Sequence, residues 1–255
     1  MKEKIISFNV DTDVTAIECE FACADVSFEE AADGIFKIEY PCTKNVHIGS
    51  GESGLIISQK KRLFGGKQRF KIFVPSHVIP SVKLNGKTFD FTISGGIYGE
   101  LNLNSDGGNV YLSDCVLESV DIGGGEINVS LDCATVKGGF HSQLAKGSIL
   151  TENTFATRAE CRVEHGNIGL VNFNCKDCSF ETQKGNITAS LAGCENGFNT
   201  SIITREGMSN RESSVKSGAD GSFHAYAKRG NIVLDFIGEP QSEPEIAEER
   251  EKENA

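Results

Sequence analysis

A short phrase that recurs along the chain constrains the fold more than any other feature of the sequence. Gly-Asn-Ile occurs three times, and related phrases begin at other glycines. The starting glycines are Gly99, Gly108, Gly125, Gly147, Gly166, Gly185 and Gly230. From Gly108 onward their spacings are 17, 22, 19, 19 and 45 residues, the last holding Gly207 near its middle. A fixed period of roughly 20 residues is the signature of a repeat architecture.

Each repeat has the pattern of two strands that meet at the glycine. Small or apolar residues fall at every second position before Gly185, and Ile187 and Ala189 continue the alternation after it. Period two indicates strands, and the change of phase indicates a corner, where glycine permits unusual backbone angles. A unit of this size buries its apolar face only when copies stack. We therefore predict an all-β chain, a single-stranded β-helix or β-solenoid, right-handed and with about 20 residues per rung. A sandwich of hairpins is the alternative.

The repeats define the expected domain organisation. Residues 1–237 form a single β-solenoid domain, in which residues 96–237 hold the regular Gly-Asn-Ile rungs. Residues 5–95 form an irregular β end, where alternation on both sides of Gly65 and Gly66 predicts a hairpin. Residues 238–255 carry seven acidic residues against two basic ones and almost no apolar residue, so we predict a disordered acidic tail.

Residues at equivalent positions are expected to lie above one another in a stack. Ile168, Ile187 and Ile232 should point inward and stack, whereas Asn172 should face outward. Four cysteines follow their glycines by seven to nine residues, which predicts a buried ladder of inert thiols at one corner. They are Cys115, Cys133, Cys175 and Cys194. Four asparagines directly after a glycine are expected to bond to the next rung. They are Asn109, Asn167, Asn186 and Asn231. Cys175 and Cys178 form a lone CxxC motif without the further ligands of a zinc site, so we predict no metal.

Charge and composition narrow the compartment and the partners. The net charge of −11 argues against general binding to nucleic acid or anionic lipid. The first residues, MKEKIISFNVDTDV, lack the apolar core of a secretory signal, and no apolar run reaches membrane-spanning length. With an odd number of cysteines, nine, this pattern predicts a cytoplasmic protein with reduced thiols. It leaves association with the cell envelope open.

Taken together, the recurring glycine phrase and the aliphatic strand that ends in proline, IFVPSHV, resemble a known family. It is the bacterial "putative adhesin" β-strand-repeat family, a domain of unknown function related to the head-GIN-domain proteins. The resemblance covers residues 5–237. It implies a single-stranded β-helix and an adhesin-like role, and it supplies no catalytic residues.

An enzyme is one class of function to weigh against this resemblance. Polysaccharide-cleaving β-helices use carboxylates at fixed positions, whereas the charged residues between these repeats vary. The five histidines are dispersed, and His165 stands where Lys184 and Arg229 stand in other copies, which indicates a solvated corner position. We therefore assign no catalytic residue and no cofactor, and keep a polysaccharide-active enzyme as a lesser alternative.

A binding module is the second class, and it depends on one concentration of positive charge. The segment QKKRLFGGKQRFK places six basic residues on the predicted hairpin. They are Lys60, Lys61, Arg62, Lys67, Arg69 and Lys71. These are our candidate binding residues for an anionic phospholipid or an acidic polymer. The competing interpretation is that they only keep one end of the stack soluble.

A non-enzymatic structural or interaction scaffold is the third class, and the sequence favours it. A solenoid offers long flat faces and two exposed sheet edges, which pair with other strands unless they are blocked. We therefore expect a protein partner or self-association into a homo-oligomer through the faces or ends. A weak contact with an anionic surface is compatible with this function, and a nucleic-acid partner is not expected.

Overall fold

The computed structural model describes residues 5–9, 14–51, 54–60 and 66–238, and nearly all of this part is β-structure. The strands are β1 (Ile5–Asn9), β2 (Ala16–Glu30), β3 (Lys37–Pro41), β4 (Val46–Gly51), β5 (Gly54–Gln59), β6 (Gln68–Val74), β7 (Ser81–Ser94), β8 (Ile97–Ser113), β9 (Val116–Asp132), β10 (Thr135–Lys146), β11 (Ile149–Glu152), β12 (Phe155–His165), β13 (Ile168–Lys184), β14 (Ile187–Leu191), β15 (Phe198–Glu206), β16 (Gly221–Arg229) and β17 (Ile232–Phe236). A 3₁₀ turn, Glu195–Gly197, is the one helical element in these ranges. None of the described residues belongs to a helix with the length and apolar content that a membrane span needs. The predicted all-β class is confirmed.

Long strands pair in parallel with a nearly constant offset along the chain. Leu101 in β8 lies opposite Val82 on one side and Val120 on the other, an offset of 19 residues each way. The same offset links β12 to β13, where Ala159 lies opposite Cys178. Between β9 and β10 it changes from 19 residues, where Thr135 lies opposite Val116, to 20 residues, where Phe140 lies opposite Val120. This offset equals the period of the glycine phrase, so consecutive repeats are hydrogen-bonded neighbours.

The core is built from side chains that alternate along these strands. Ile168, Ile187 and Ile232 lie opposite one another in consecutive strands, and each is at most 1% exposed. The prediction that these three isoleucines point inward and stack is confirmed. Phenylalanines add a second stack, in which the ring centroids of Phe180 and Phe223 are 5.9 Å apart. Each repeat therefore completes its core only with the repeats on either side of it.

A column of glycines lies at one corner of the repeats. Gly147, Gly166, Gly185 and Gly230 all have positive φ, between 121° and 155°. A Cβ atom built on any of the last three would overlap the carbonyl oxygen of the preceding glycine in the column. The close approach of neighbouring backbones, together with the positive φ, explains why glycine recurs here. The predicted glycine corner is confirmed for these repeats.

Two of the seven predicted repeat glycines lie elsewhere. Gly99 falls within the continuous strand β8, where it lies near Ser81 rather than in the column. Gly125 is two residues out of register, because Ile127 occupies the column position opposite Gly108. In that repeat the positive φ falls on Gly124, at 146°. Three consecutive glycines make several alignments look equivalent in the sequence, and only the pairing of strands distinguishes them.

A second corner uses a left-handed backbone conformation without glycine. Asp114, Cys133, Asn153 and Asn172 occupy this position in four consecutive repeats, with φ between 46° and 51°. Asparagine and aspartate tolerate this conformation better than other non-glycine residues. The Asn172 side chain also donates to Oδ1 of Asn153 at 2.8 Å. Asn172 points outward, as its place in the alternation predicts. Its left-handed backbone and its hydrogen bond to Asn153 give it a structural role in addition.

Asparagines beside the glycine corner bond from one repeat to the next. The Oδ1 atom of Asn167 accepts the backbone N–H of Asn186 at 2.8 Å, and Oδ1 of Asn186 accepts that of Asn231 at 2.9 Å. The side chain of Asn128 joins the same series by donating to Oδ1 of Asn109 at 3.1 Å. The predicted bonding of these asparagines to the next repeat is confirmed. Asn128 is a further member of the series, because the observed register places it opposite Asn109 although it does not directly follow a glycine.

The order of repeats in space departs from their order in the chain at both ends. Strand β16 lies between β13 and β15, so Gly230 follows Gly185 directly and Gly207 lies beyond Gly230. Strand β17 pairs with β14 on one side, and on the other Ile232 bonds to the segment at Met208. At the other end, β2 lies between β7 and the pair β5 and β6. Strands β5 and β6 therefore cover β2 at one end, and residues 198–210 cover β16 and β17 at the other.

The hairpin predicted around Gly65 and Gly66 is wrong. In the described residues β5 and β6 pair in parallel with successive halves of β2, Leu55 opposite Ile17 and Gln68 opposite Ala24. The alternation in both segments fits one long neighbouring strand, so they extend a repeat instead of folding back on each other. A buried side-chain bond between Gln59 and Gln68, 2.8 Å long, joins the two strands across the intervening segment. Antiparallel pairing does occur nearby, between β3 and β6 and between β4 and β5.

Substitution of Gly185 by alanine tests the corner column. A Cβ atom there would overlap the carbonyl oxygen of Gly166 and would sit on a backbone with φ of 153°. We expect Gly185→Ala to lower the free energy of unfolding by about 3 kcal/mol or more, measured by urea denaturation. Gly139→Ala is the matched control, since nothing lies within 4 Å of its Cβ position and its change should stay within about 0.5 kcal/mol. Equal costs at the two glycines would contradict the proposed role of the column.

Candidate binding surface

The six predicted binding residues fall partly outside the described residues. Lys61 and Arg62 lie outside them. Lys60 is exposed at the end of β5, and its backbone N–H donates to the carbonyl oxygen of Asn45 at 2.9 Å. Lys67, Arg69 and Lys71 alternate along β6 and its approach, so the structure brings these three side chains together on one face.

Each of these three basic side chains has a carboxylate partner, either on the adjacent strand β2 or on β7 beyond it. Lys67 pairs with Asp90 of β7, and the Arg69 guanidinium is 3.4 Å from an oxygen of Asp25 of β2. The Lys71 ammonium is 3.0 Å from an oxygen of Glu29, also in β2. The described part of the basic segment is thus largely neutralised by acidic residues of the adjacent repeats.

The electrostatics at Asp90 follow from these contacts. Partial burial acts to raise the pKa of Asp90, but hydrogen bonds from Lys67 and Asn109 and the charge of Lys67 together lower it below its ordinary value. A carboxylate with a lowered pKa contributes stability above its unfolded pKa, and this contribution is lost as the pH falls through the folded value. The pair therefore helps to hold the covering strands on the stack near neutral pH.

A second group of basic residues forms a continuous column beside the glycine corner. Lys146, His165, Lys184 and Arg229 occupy one position in four consecutive strands, each directly opposite the next. All four are exposed. Neighbouring strands lie about 4.8 Å apart, so the four side chains start along a line about 14 Å long. We call these four residues the basic column.

The basic column has defined ends and few internal partners. Glu126 lies opposite Lys146 at one end, and Glu206 lies opposite Arg229 at the other. The Arg229 guanidinium is 3.1 Å from an oxygen of Glu206. Within the described residues no ion pair joins Lys146, His165 or Lys184 to a carboxylate. Lys184 and Arg229 are like charges directly opposite each other, an arrangement that destabilises a sheet.

The sequence shows a basic residue before several of the repeat glycines, and this pattern predicts only a solvated corner position for His165. The structure places it at an exposed position beside the corner. The strand register makes neighbours of four bases that are separated by 19 to 45 residues in the chain. Lys146 completes the series and precedes a repeat glycine in the same way.

A shallow polar depression lies next to the basic column, on the outer face of β9, β10 and β12. Gly123 forms part of its wall, and nothing but Oδ1 of Asn104, at 4.0 Å, lies near the position of a Gly123 Cβ atom. His141 and Asp121 line it and are 3.1 Å apart between Nδ1 and Oδ1. Its other polar lining side chains are those of Gln143, Arg162 and Glu164. The depression offers both donors and acceptors but contains no buried charge.

The predicted cysteine ladder is wrong. Cys115 and Cys175 are buried, whereas Cys133 and Cys194 are exposed. Cys133 belongs to the left-handed corner, and Cys115 lies one position further along its own repeat, opposite Ala134. Similar spacing from a glycine does not give equal positions here, because the spacing varies from seven to nine residues and Gly125 is itself out of register. The repeat after Gly185 also leaves the regular path.

The buried thiols have no metal site around them. Cys175 and Cys178 are both buried, and the Cys178 thiol lies 3.7 Å from the carbonyl oxygen of Cys175. Burial, with the nearby Asp114 carboxylate, raises the pKa of Cys115 to about 12, and burial also raises the pKa of Cys161 and Cys178. The described residues contain no cluster of three or more His, Cys, Asp or Glu side chains arranged to hold a metal ion. These thiols are small apolar core residues.

Comparisons with known proteins bear on the fold. Neither a protein-family model nor a curated protein matches the chain. Among solved structures, one described as a putative adhesin from Bacteroides fragilis is similar at 14% identity and a TM-score of 0.57, over 92% of this chain and 98% of that chain. One described as a putative adhesin from Parabacteroides distasonis is similar at 11% identity and a TM-score of 0.53, over 91% and 97%. One described as a putative lipid binding protein from Parabacteroides distasonis is similar at 13% identity and a TM-score of 0.53, over 92% of this chain and 94% of that chain.

These similarities extend over almost the whole of each chain, but at 11–14% identity they establish a shared fold and nothing more. The resemblance to the adhesin-like family is supported at this level. The link to head-GIN-domain proteins stays a prediction.

Thiol labelling tests the corrected assignment of the cysteines. With an aromatic disulfide reagent on native protein, we expect Cys194 to react quickly and Cys115, Cys161, Cys175 and Cys178 to react only on unfolding. Cys133 should be slower than Cys194, because residual burial and the hydrogen bond to Asp132 raise its pKa. Mass spectrometry of the labelled peptides reads out each site. Rapid labelling of Cys115 or Cys175 in the native protein would contradict their placement in the core.

Proposed function

We propose that the protein is a non-enzymatic, adhesin-like β-solenoid that acts as a binding scaffold, with ligands recognised along the outer faces of its rungs. The observation that carries this proposal is the constant offset between parallel strands, which places equivalent side chains in columns on the surface. A column presents the same chemistry at regular intervals. Such a surface suits recognition of an extended or repeating partner better than it suits a single reaction centre.

The finer features of the fold belong to this proposal. We infer a single right-handed solenoid over residues 1–237, with about 20 residues per rung. The interpretation is supported by the alternation within each strand, the corner column of glycines and the asparagines that bond from one repeat to the next. Residues 239–255 lie outside the described residues, and their role as a disordered acidic tail remains our inference from composition.

The basic segment 60–71 gives a second candidate surface, for an anionic lipid. One neighbour in fold is described as a putative lipid binding protein. The ion pairs argue against lipid binding at this surface, because carboxylates engage Lys67, Arg69 and Lys71 and reduce the charge that they offer to a membrane. We therefore rank the lipid-binding function of this segment below the scaffold function.

A deletion of one complete rung tests the solenoid. Removing residues 148–166 joins Gly147 to Asn167 and brings the strand of Ile168 to the place of Ile149, which pairs with Val129. In a solenoid this shortened chain should keep its strand content and a cooperative thermal transition, because each repeat contacts only its neighbours. Deletion of residues 148–157 is the control, since it shifts the register and should abolish the transition. Loss of folding in both variants would argue for a closed sheet instead.

A binding screen tests the scaffold function. The full chain is applied to immobilised acidic and neutral polysaccharides and to vesicles with and without anionic lipid, and the recovered ligands are analysed by mass spectrometry. We expect saturable binding to at least one polymer, with the ligand recovered unchanged. A Lys67→Gln/Lys71→Gln variant should bind as the parent does. Conversion of the ligand into products, or the absence of binding to every surface, would contradict the proposal.

A further inference from the structure

The geometry points to a ligand for the basic column, and this inference rests on the proposed scaffold function. We propose that Lys146, His165, Lys184 and Arg229 form a binding site for a linear polyuronate, an acidic polysaccharide with one carboxylate on each sugar. The polymer would lie along the glycine corner, across the strands, so that successive carboxylates meet successive rungs.

The first support is the cost of the column to the protein itself. Its positions are opposite one another in β10, β12, β13 and β16, and this places the charge of Lys184 directly opposite that of Arg229. Only Arg229 at the end has a carboxylate partner, Glu206, among the described ion pairs. A bound row of anions would give Lys146 and Lys184 charge partners and would offset the repulsion between Lys184 and Arg229. Local arrangements that oppose folding without structural compensation are typical of functional sites.

The second support is the spacing of the charges. Neighbouring strands place bases about 4.8 Å apart along a straight line. Sugars in an extended polyuronate set their carboxylates one ring apart, which is comparable with this spacing. Phosphates in polyphosphate are separated by a single bridging oxygen and are much closer together. Phosphates along one strand of B-DNA wind around the helix axis, so only a few of them can face a straight column.

The third support is the narrowness of the basic region. Glu164 precedes His165, and Glu181 lies three residues before Lys184 on the adjacent outer face, where Arg162 is 3.9 Å from it. Glu126 and Glu206 close the two ends of the column. A flat anionic membrane would meet these carboxylates together with the bases. A single chain of sugars can follow the column alone, and the polar depression beside Gln143 would accept hydroxyl groups of the same polymer.

Calorimetric titration at low salt tests this site with polygalacturonic acid and, as the uncharged counterpart, its methyl ester. We expect the acid to bind and the ester not to bind. A Lys146→Gln/Lys184→Gln variant should lose about thirtyfold in affinity, given that each base contributes about fivefold. Its thermal midpoint should not fall, because the Lys184→Gln substitution removes a like charge that faces Arg229.

The matched control is Lys83→Gln/Lys87→Gln, which changes the net charge equally at two exposed lysines of β7. It should bind polygalacturonic acid within about twofold of the parent, since exposed charges beyond roughly 8–10 Å are screened. A series of oligogalacturonates should gain affinity up to about four sugars and then level off, as four bases at strand spacing require.

Three results would overturn the proposal. They are no binding of polygalacturonic acid by the parent, unchanged binding by the Lys146→Gln/Lys184→Gln variant, and an equal loss in the control variant. Tighter binding of polyphosphate, single-stranded RNA or anionic vesicles at the same column would also overturn it, by assigning a different ligand. Binding of another polysaccharide in the screen with none of the polyuronate would leave the scaffold function intact and remove only this site.

Discussion

Close contact between backbones at the glycine corner is the constraint on which the rest of the structure depends. The carbonyl oxygen of one repeat occupies the space that the next repeat would need for a Cβ atom, at Gly147, Gly166 and Gly185 in turn. Only one alignment of two neighbouring repeats allows this contact. The corner therefore sets the register of the strand segments next to it, and with the register it sets which side chains meet in the core there. Bulges such as the one between Val136 and Phe140 adjust the pairing further along.

One register governs both the inside and the outside of the stack. Inside, it brings isoleucine above isoleucine, which adds contact area at every step. Outside, it brings Asn186 next to Asn167, where a shared hydrogen bond is gained, but also Lys184 next to Arg229, where like charges repel. Repetition is thus favourable for apolar and amide side chains and unfavourable for charged ones. A repeated charge on such a fold calls for an explanation beyond stability.

The sequence predicted the class of fold, the period and the inward isoleucines, because these depend on local alternation and on short identical phrases. It misplaced Gly125, since three adjacent glycines fit two alignments and only the partner strand chooses between them. The cysteine ladder was wrong because it inherited this error and counted along the chain instead of across strands. The supposed hairpin failed for a related reason: β5 and β6 alternate like a hairpin, but their partner, β2, lies 38 or 44 residues away. The basic column could not be predicted, because only the strand register makes its four residues neighbours.

The exchange of repeat order at the stack ends has a mechanical consequence. In a simple stack the last repeat is the free end of the polymer, so opening begins by peeling that end away one strand at a time. Here β16 and β17 lie beneath residues 198–210, which come earlier in the chain. Tension applied to the chain beyond β17 therefore has to shear strands that are paired on both sides. A cut within residues 212–220 would leave the strands before and after it paired with their neighbours, so such a nick would not by itself release β16 and β17.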